Sequence, residues 1–247
     1  MDGKLALVNG GSRGIGAAAA KLLAAQGAHV LISSRRLESS QQAAQEIAAA
    51  GGRADAFACH AGDLDQIDTL FATLRERFGR LDVLINNAAT NPYFGPVLGT
   101  TREAFEKTVS VNLRGYFYAT VGAIELMKGH GGSIVNVASI SGIAPMLNQG
   151  IYSITKGAII TMTQSFAIEA APLGIRVNAV LPGFTRTRFS AALIDDAGFS
   201  ASALERVPLK RFAQPEEIAT AIGYLACDAA SYITGSCLTA DGGYLAG

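Results

Sequence analysis

Short apolar runs alternate with longer stretches of helical pattern along almost the whole sequence. The run KLALVNG is followed by a helical pattern over residues 14–26, and the run AHVLIS by another over residues 37–50. Continuous apolar runs are typical of strands buried on both faces, and parallel strands need helical crossovers between them. The alternation therefore predicts an α/β fold with a doubly wound parallel sheet of about seven strands. The later apolar runs are RADAFACH, LDVLINN, GSIVNVAS, IRVNAVLPG and GSCLTADGG, and the later helices are expected near 64–78, 102–127, 152–171 and 215–227.

No linker divides the chain. Its 247 residues are 49% hydrophobic, and the 28 glycines are spread without a long Gly-, Pro- or Ser-rich segment. One domain over residues 1–247 is therefore expected. The 20 basic residues balance the 20 acidic ones, which leaves no overall field to attract nucleic acid or anionic lipid.

The three cysteines are too few and too scattered to predict a disulfide framework or a zinc site, so no metal is expected. Cys59 beside His60 has no second pair of ligands nearby and is interpreted as structural. The N-terminus enters an apolar run without a basic leader, and no run is long enough to span a membrane. These features predict a cytoplasmic protein.

A glycine-rich turn, NGGSRGIG, lies between the first predicted strand and the first helix. Glycines permit a tight turn and close backbone approach, and the helix that follows offers free N–H groups to a pyrophosphate. This context favours a dinucleotide site in a Rossmann-like fold over a purely structural turn. The residues expected to bind it are Gly10, Ser12, Arg13, Gly14, Ile15 and Gly16.

The second predicted strand ends in SSRR, Ser33 to Arg36, where NAD-binding chains carry an acidic residue for the ribose 2′-hydroxyl. Ser34, Arg35 and Arg36 are instead suited to a 2′-phosphate, because a guanidinium binds phosphate through charge and paired hydrogen bonds. Arg13 can approach the same group from the glycine-rich turn. The pattern favours NADP, while two solvated surface arginines remain the simpler alternative.

The segment YSITK brings Tyr152 and Lys156 together. Positions i and i+4 of a helix share one face, and an ammonium beside a phenol favours the phenolate. Tyr152 is therefore a candidate general acid and base with a lowered pKa. A surface tyrosine beside a solvated lysine is the alternative for any isolated YxxxK.

These motifs together resemble the short-chain dehydrogenase/reductase family, and the resemblance extends from Lys4 to Tyr244. It implies that Tyr152 exchanges a proton with the substrate oxygen, which Ser139 holds, and that Lys156 lowers the Tyr152 pKa and binds the nicotinamide ribose. Asn112 is implied to link Lys156 to solvent through a bound water. The further cofactor residues implied are Asn87, Ala88, Pro182, Gly183 and Thr185, with Asp63 as a candidate near the adenine.

Within the family, SSRR, CHAGD, NAATNPYFGP and SYITG look most like the NADP-dependent carbonyl reductases, which implies a ketone or secondary alcohol as substrate. The substrate pocket is expected to be framed by residues 91–96, by Met146 and Leu147, and by an apolar lid near 184–211. The lid residues singled out are Phe189, Leu193, Ile194 and Phe199.

Two other functions remain open. Reduction of 3-ketoacyl groups on acyl carrier protein would need a basic rim, to which Arg186 and Arg188 could contribute. A redox sensor that binds NADP without turnover is the alternative of another class, although an intact Ser139, Tyr152 and Lys156 set argues against it. The family resemblance also implies a homotetramer.

Overall fold

The computed structural model describes residues 1–247, except for the side chain of Ala192. Its strands form one seven-stranded sheet in the order β3-β2-β1-β4-β5-β6-β7, and every neighbouring pair is parallel. The predicted doubly wound parallel sheet is therefore confirmed. The strands are β1 Leu5–Asn9, β2 His29–Ser34, β3 Arg53–Ala58, β4 Val83–Asn86, β5 Gly132–Val137, β6 Ile175–Pro182 and β7 Cys237–Ala240.

Helices cover both faces of the sheet. Successive strand residues point to opposite faces, so Leu7 belongs to one apolar cluster and Val8 to the other. The Val8 side packs against the first and last long helices, and the Leu7 side against helices from the middle of the chain. The helices are α1 Gly14–Ala25, α2 Leu37–Ala49, α3 Leu64–Phe78, α4 Arg102–Val109, α5 Gly115–Met127, α6 Tyr152–Ala170, α7 Ala191–Ile194, α8 Ala197–Arg206 and α9 Pro215–Ala226.

The prediction of one continuous α-helix over 102–127 is wrong in one respect. A π-helical segment, Ser110–Arg114, separates α4 from α5. Directly after it, Gly115 lies so close to the main chain that a Cβ there would fall 1.8 Å from the Ala61 carbonyl oxygen. The wider turn buries Asn112 completely, and such insertions are frequent at functional sites.

The strand order reverses between β1 and β4, which are neighbours in the sheet. Loops that leave the carboxyl ends of these strands therefore open away from one another and leave a crevice. The glycine turn packs closely against the chain at this crevice. Gly10 has a φ of +78°, and a Cβ at this position would lie 2.7 Å from the Ala88 main chain. Only glycine fits such an approach. Within the described chain, no helix is both long enough and apolar enough to cross a membrane.

Candidate active site

One cavity of about 930 Å³ runs along the carboxyl edge of the sheet. Its size falls within the range of small-molecule and cofactor sites. The structure brings most of the predicted site residues to its wall: Gly10, Ser12, Arg13, Gly14, Ile15, Ser34, Arg35, Arg36, Asn87, Ala88, Ser139, Tyr152, Lys156, Pro182, Gly183 and Thr185.

The cavity wall is strongly positive. Six cationic side chains line it, and no carboxylate is found among the lining residues of the described chain. Arg13, Arg35 and Arg36 are exposed and form no ion pair with any described residue. The N-terminus of α1 opens onto the same end and carries no acidic residue in its first turn. Free guanidinium groups, a helix N-terminus and a close-packed glycine turn together fit a phosphorylated dinucleotide.

Ser139, Tyr152 and Lys156 line the other part of the cavity. Ser139 follows β5, and its Oγ accepts a hydrogen bond from the Ser141 N–H at 3.1 Å, which leaves its own O–H to donate. Tyr152 is the first residue of α6, and Lys156 lies one turn further along. The Lys156 Nζ donates to the Val137 carbonyl oxygen at 2.7 Å and lies 5.5 Å from the centroid of the Tyr152 ring.

Burial is the main cause of the pKa shifts of Tyr152 and Lys156. It raises the pKa of Tyr152 well above that of a free phenol, and a hydrogen bond from Ser139 opposes the shift only in part. Burial also lowers the pKa of Lys156 to about 7. The predicted lowering of the phenol pKa by the neighbouring ammonium is therefore wrong for the protein by itself. The physical reason is that both groups lose their hydration, which favours the neutral form of each.

Lys156→Met should remove the part of the pH dependence of folding stability that comes from the titration of this lysine. Because burial lowers the pKa of Lys156 to about 7 and an unfolded lysine titrates near about 10.4, the unfolded chain binds more protons between these values. Wild-type stability should therefore rise with pH in that window, by up to about 1.4 kcal/mol per pH unit relative to the Met variant. Urea unfolding of both proteins at matched pH values measures this difference. A difference that stays constant with pH would contradict the expectation.

Three predicted residues do not line the cavity. Gly16 is packed behind the turn, where a Cβ would lie 2.3 Å from the Gly10 carbonyl oxygen. Asp63 caps α3 instead, with its carboxylate accepting from the N–H of Gln66 at 3.2 Å and from its side-chain Nε2 at 2.7 Å. The Asp63 carboxylate is thus held at the start of α3, outside the cavity lining, and its role near the adenine stays a prediction.

Asn112 is also held away from the cavity. Its Oδ1 accepts from the Thr90 N–H at 2.8 Å, and its Nδ2 donates to the Thr90 carbonyl at 2.9 Å and to Thr155 Oγ1 at 3.2 Å. The side chain therefore ties the loop after β4 to α6. The implied link from Asn112 to Lys156 through a bound water stays a prediction, and the side-chain amide itself is used by Thr90 and Thr155.

The substrate side of the cavity is mostly apolar. Phe94 and Met146 line it as expected, whereas Leu147 is 91% exposed and points away. Phe189 stacks over Tyr152, with ring centroids 5.8 Å apart. Of the other singled-out lid residues, Leu193 lines the cavity, while Ile194 and Phe199 pack within the lid itself.

Sequence reasoning missed several polar residues on this wall, among them Lys107 and Gln149. Lys107 lies in α4, and nothing in the sequence around it distinguishes it from any other exposed residue of a helix. Gln149 precedes Tyr152 by three positions, and its side chain is buried at 7% exposure. Its proximity to Tyr152 in the sequence was a usable signal, but burial of the amide was not visible without the fold.

Known proteins match this chain over nearly its whole length. A family model described as Enoyl-(Acyl carrier protein) reductase matches residues 10–245. The chain is 36% identical over 244 residues to Dehydrogenase/reductase SDR family member 4 of Oryctolagus cuniculus, an alignment covering 98% of this chain and 94% of the relative. It is 42% identical over 246 residues to L-rhamnose 1-dehydrogenase (NAD(P)(+)) of Azotobacter vinelandii, covering 97% and 96%.

Solved structures agree with these matches. The structure of a gluconate 5-dehydrogenase from Burkholderia cenocepacia J2315, in complex with NADP and tartrate, superposes with a TM-score of 0.96 at 30% identity. The superposition covers 100% of this chain and 97% of that chain. The chain therefore belongs to the short-chain dehydrogenase/reductase family, oxidoreductases that act on alcohol and carbonyl groups with NAD or NADP.

Proposed function

We propose that the protein interconverts a ketone and a secondary alcohol with NADP(H). The observation that carries this proposal is the single cavity that joins Ser139, Tyr152 and Lys156 to three unpaired arginines. Assays of a panel of ketones and alcohols with both NADPH and NADH test it. If the protein turned over no substrate with either nucleotide, the result would favour the alternative function, a redox sensor that binds the dinucleotide without catalysis.

The chain's own residues supply the proton and the orientation. Bound NADPH supplies the hydride for reduction, and NADP⁺ accepts it in oxidation. In reduction, Tyr152 donates its phenolic proton to the substrate oxygen while Ser139 donates a hydrogen bond to that oxygen. Burial raises the pKa of Tyr152, so the phenol is held protonated and ready to act as the acid. The Lys156 Nζ lies 5.5 Å from the centroid of the phenol ring, where a protonated amine would stabilise the phenolate that remains.

The preference for NADP rests on Arg13, Arg35 and Arg36. All three line the cavity, and the described wall holds no carboxylate to accept from a ribose 2′-hydroxyl. A 2′-phosphate would instead receive charge-assisted hydrogen bonds, which are about twice as strong as neutral ones. Ser34 contributes less, since its hydroxyl is engaged with the Arg36 carbonyl at 2.9 Å and with Ser40 at 2.8 Å.

Residues 184–211 are proposed as the substrate lid of a single domain. The segment is anchored at its base by Phe184, whose ring packs edge-on against Phe199, Phe212 and Tyr244. Beyond this anchor, Phe189 reaches Tyr152. A lid of this kind excludes water from the reacting carbon and so protects the proton transfer.

Reduction of 3-ketoacyl groups on acyl carrier protein is the second candidate. The observation in its favour is a group of exposed arginines around the lid, of which Arg186 stacks on Phe212 and Arg206 on Tyr244. An acidic carrier protein would meet positive charge there. Comparing a ketoacyl thioester of the carrier protein with the same ketoacyl group on a small thiol distinguishes the two functions, because only the carrier contacts the rim.

The protein is expected to be a homotetramer. Several large apolar side chains on the outer faces of α5 and α6 are exposed, and such patches on a single chain mark association surfaces. They are Phe117, Tyr118, Val121, Ile154 and Ile168. Light scattering at micromolar concentration should return four times the chain mass. A monomer mass would remove this proposal.

A further inference from the structure

The Gln149 side chain is a buried polar group on the cavity wall. It is 7% exposed and lines the cavity beside Tyr152. No described residue forms a hydrogen bond with its amide, although its main-chain carbonyl accepts from the Tyr152 N–H at 3.0 Å. Neither Gln149 amide atom is among the fully buried unpaired atoms of the described chain, so the amide faces the cavity and is free to bind a group of the substrate there.

A second amide lies on the same wall. Asn91 lines the cavity, and its buried Oδ1 has no hydrogen-bond partner among the described residues. The two loops are joined by main-chain hydrogen bonds, from the Gly95 N–H to the Asn148 carbonyl at 2.9 Å and from the Gly150 N–H to the Gly95 carbonyl at 3.2 Å. Asn148 takes the left-handed conformation at φ of +62° to make this junction. The junction therefore joins the loop that carries Asn91 to the segment that carries Gln149.

The chemistry of these amides identifies what they would bind. An amide offers both a donor and an acceptor, and a hydroxyl group can satisfy both at once. The reacting oxygen itself is served by Ser139 and Tyr152, so a ligand for Gln149 must be a different group of the same molecule. Gln149 precedes Tyr152 by three residues and lines the same cavity, which favours a group on the carbon next to the reacting carbon.

We propose that the substrate carries a hydroxyl group on the carbon adjacent to the reacting carbon, and that Gln149 binds it with Asn91 in support. The substrate class is thus an α-hydroxy ketone and its vicinal diol, rather than a simple ketone. This inference rests on the proposed ketone and alcohol chemistry, and it narrows that function to molecules with two neighbouring oxygens.

Acetoin and butanone form a matched pair for the test, because they differ only in the adjacent hydroxyl. With NADPH, the wild type should show a kcat/KM for acetoin about 5- to 150-fold above that for butanone, as expected when one buried polar group is satisfied or left unpaired. Gln149→Met keeps the length of the side chain and should bring the ratio close to one by lowering acetoin turnover. Turnover of butanone by the variant serves as the check that its site is folded.

Thr100→Val is the matched control. The Thr100 Oγ1 is also buried without a partner near the same junction, but Thr100 does not line the cavity. This variant should keep the wild-type ratio. A wild-type ratio near one, or a ratio unchanged in Gln149→Met, would overturn the proposal.

Binding without turnover separates this inference from the proposed function. Calorimetric titration of acetoin into Tyr152→Phe protein saturated with NADPH should give a binding signal. The double variant that also carries Gln149→Met should give none. If the wild type reduces neither ketone, the proposed function fails, yet acetoin binding that depends on Gln149 still supports the inference. Acetoin that fails to bind, or that binds equally with and without Gln149, would overturn it.

Discussion

Tyr152→Phe should lower turnover by about 10²- to 10⁴-fold, the usual contribution of a positioned general acid. The substitution keeps the ring, its place at the start of α6 and its stacking on Phe189. It removes only the hydroxyl that would give its proton to the substrate oxygen. Cofactor binding should survive, because the arginines and the glycine turn at the other end of the cavity are untouched.

Two measurements decide this prediction. Steady-state turnover with a reducible ketone gives the loss in rate, and NADPH fluorescence or calorimetry gives the affinity, since the chain has no tryptophan to report on binding. Tyr224→Phe removes an exposed phenol from α9 and should change neither quantity. If Tyr152→Phe still reduced ketones at close to the wild-type rate, the pair in YSITK would be a surface feature.

Arg35→Asp should weaken the use of NADPH by about 10- to 100-fold in kcat/KM, while NADH is spared. Loss of one charge-assisted hydrogen bond to a phosphate costs about 1.5–3 kcal/mol, and the new carboxylate also repels that phosphate. NADH lacks the 2′-phosphate, and its ribose hydroxyl can donate to the introduced aspartate. The ratio of the two kcat/KM values therefore moves toward NADH.

The control for this charge reversal is Arg102→Asp. Arg102 is exposed in the first turn of α4 and lies outside the cavity, and an acidic residue there is favourable for the helix. The nucleotide preference of this variant should equal that of the wild type. A wild type that uses NADH as well as NADPH would show that Arg13, Arg35 and Arg36 do not select the phosphate.

The sequence by itself determined the layers of the fold and the edge at which the site lies. Continuous apolar strands need cover on both faces, and helices between parallel strands provide it, so the pattern of KLALVNG, AHVLIS and the later runs leaves few alternatives. Parallel strands also bring their carboxyl ends to one edge. For that reason the glycine turn, SSRR, Ser139 and Tyr152, although far apart in the chain, could be predicted to meet.

What only the tertiary structure decided depends on burial and on hydrogen-bond partners. The carboxylate of Asp63 is used by Gln66, and the amide of Asn112 by Thr90, whereas Gln149 is left without a partner on the cavity wall. Burial likewise sets the direction of the Tyr152 and Lys156 pKa shifts, which their spacing alone predicted incorrectly for the phenol. Spacing specifies which residues share a helix face, but hydration and hydrogen bonding depend on every segment packed around them. Those segments come from distant parts of the chain, and so these properties exist only once the chain is folded.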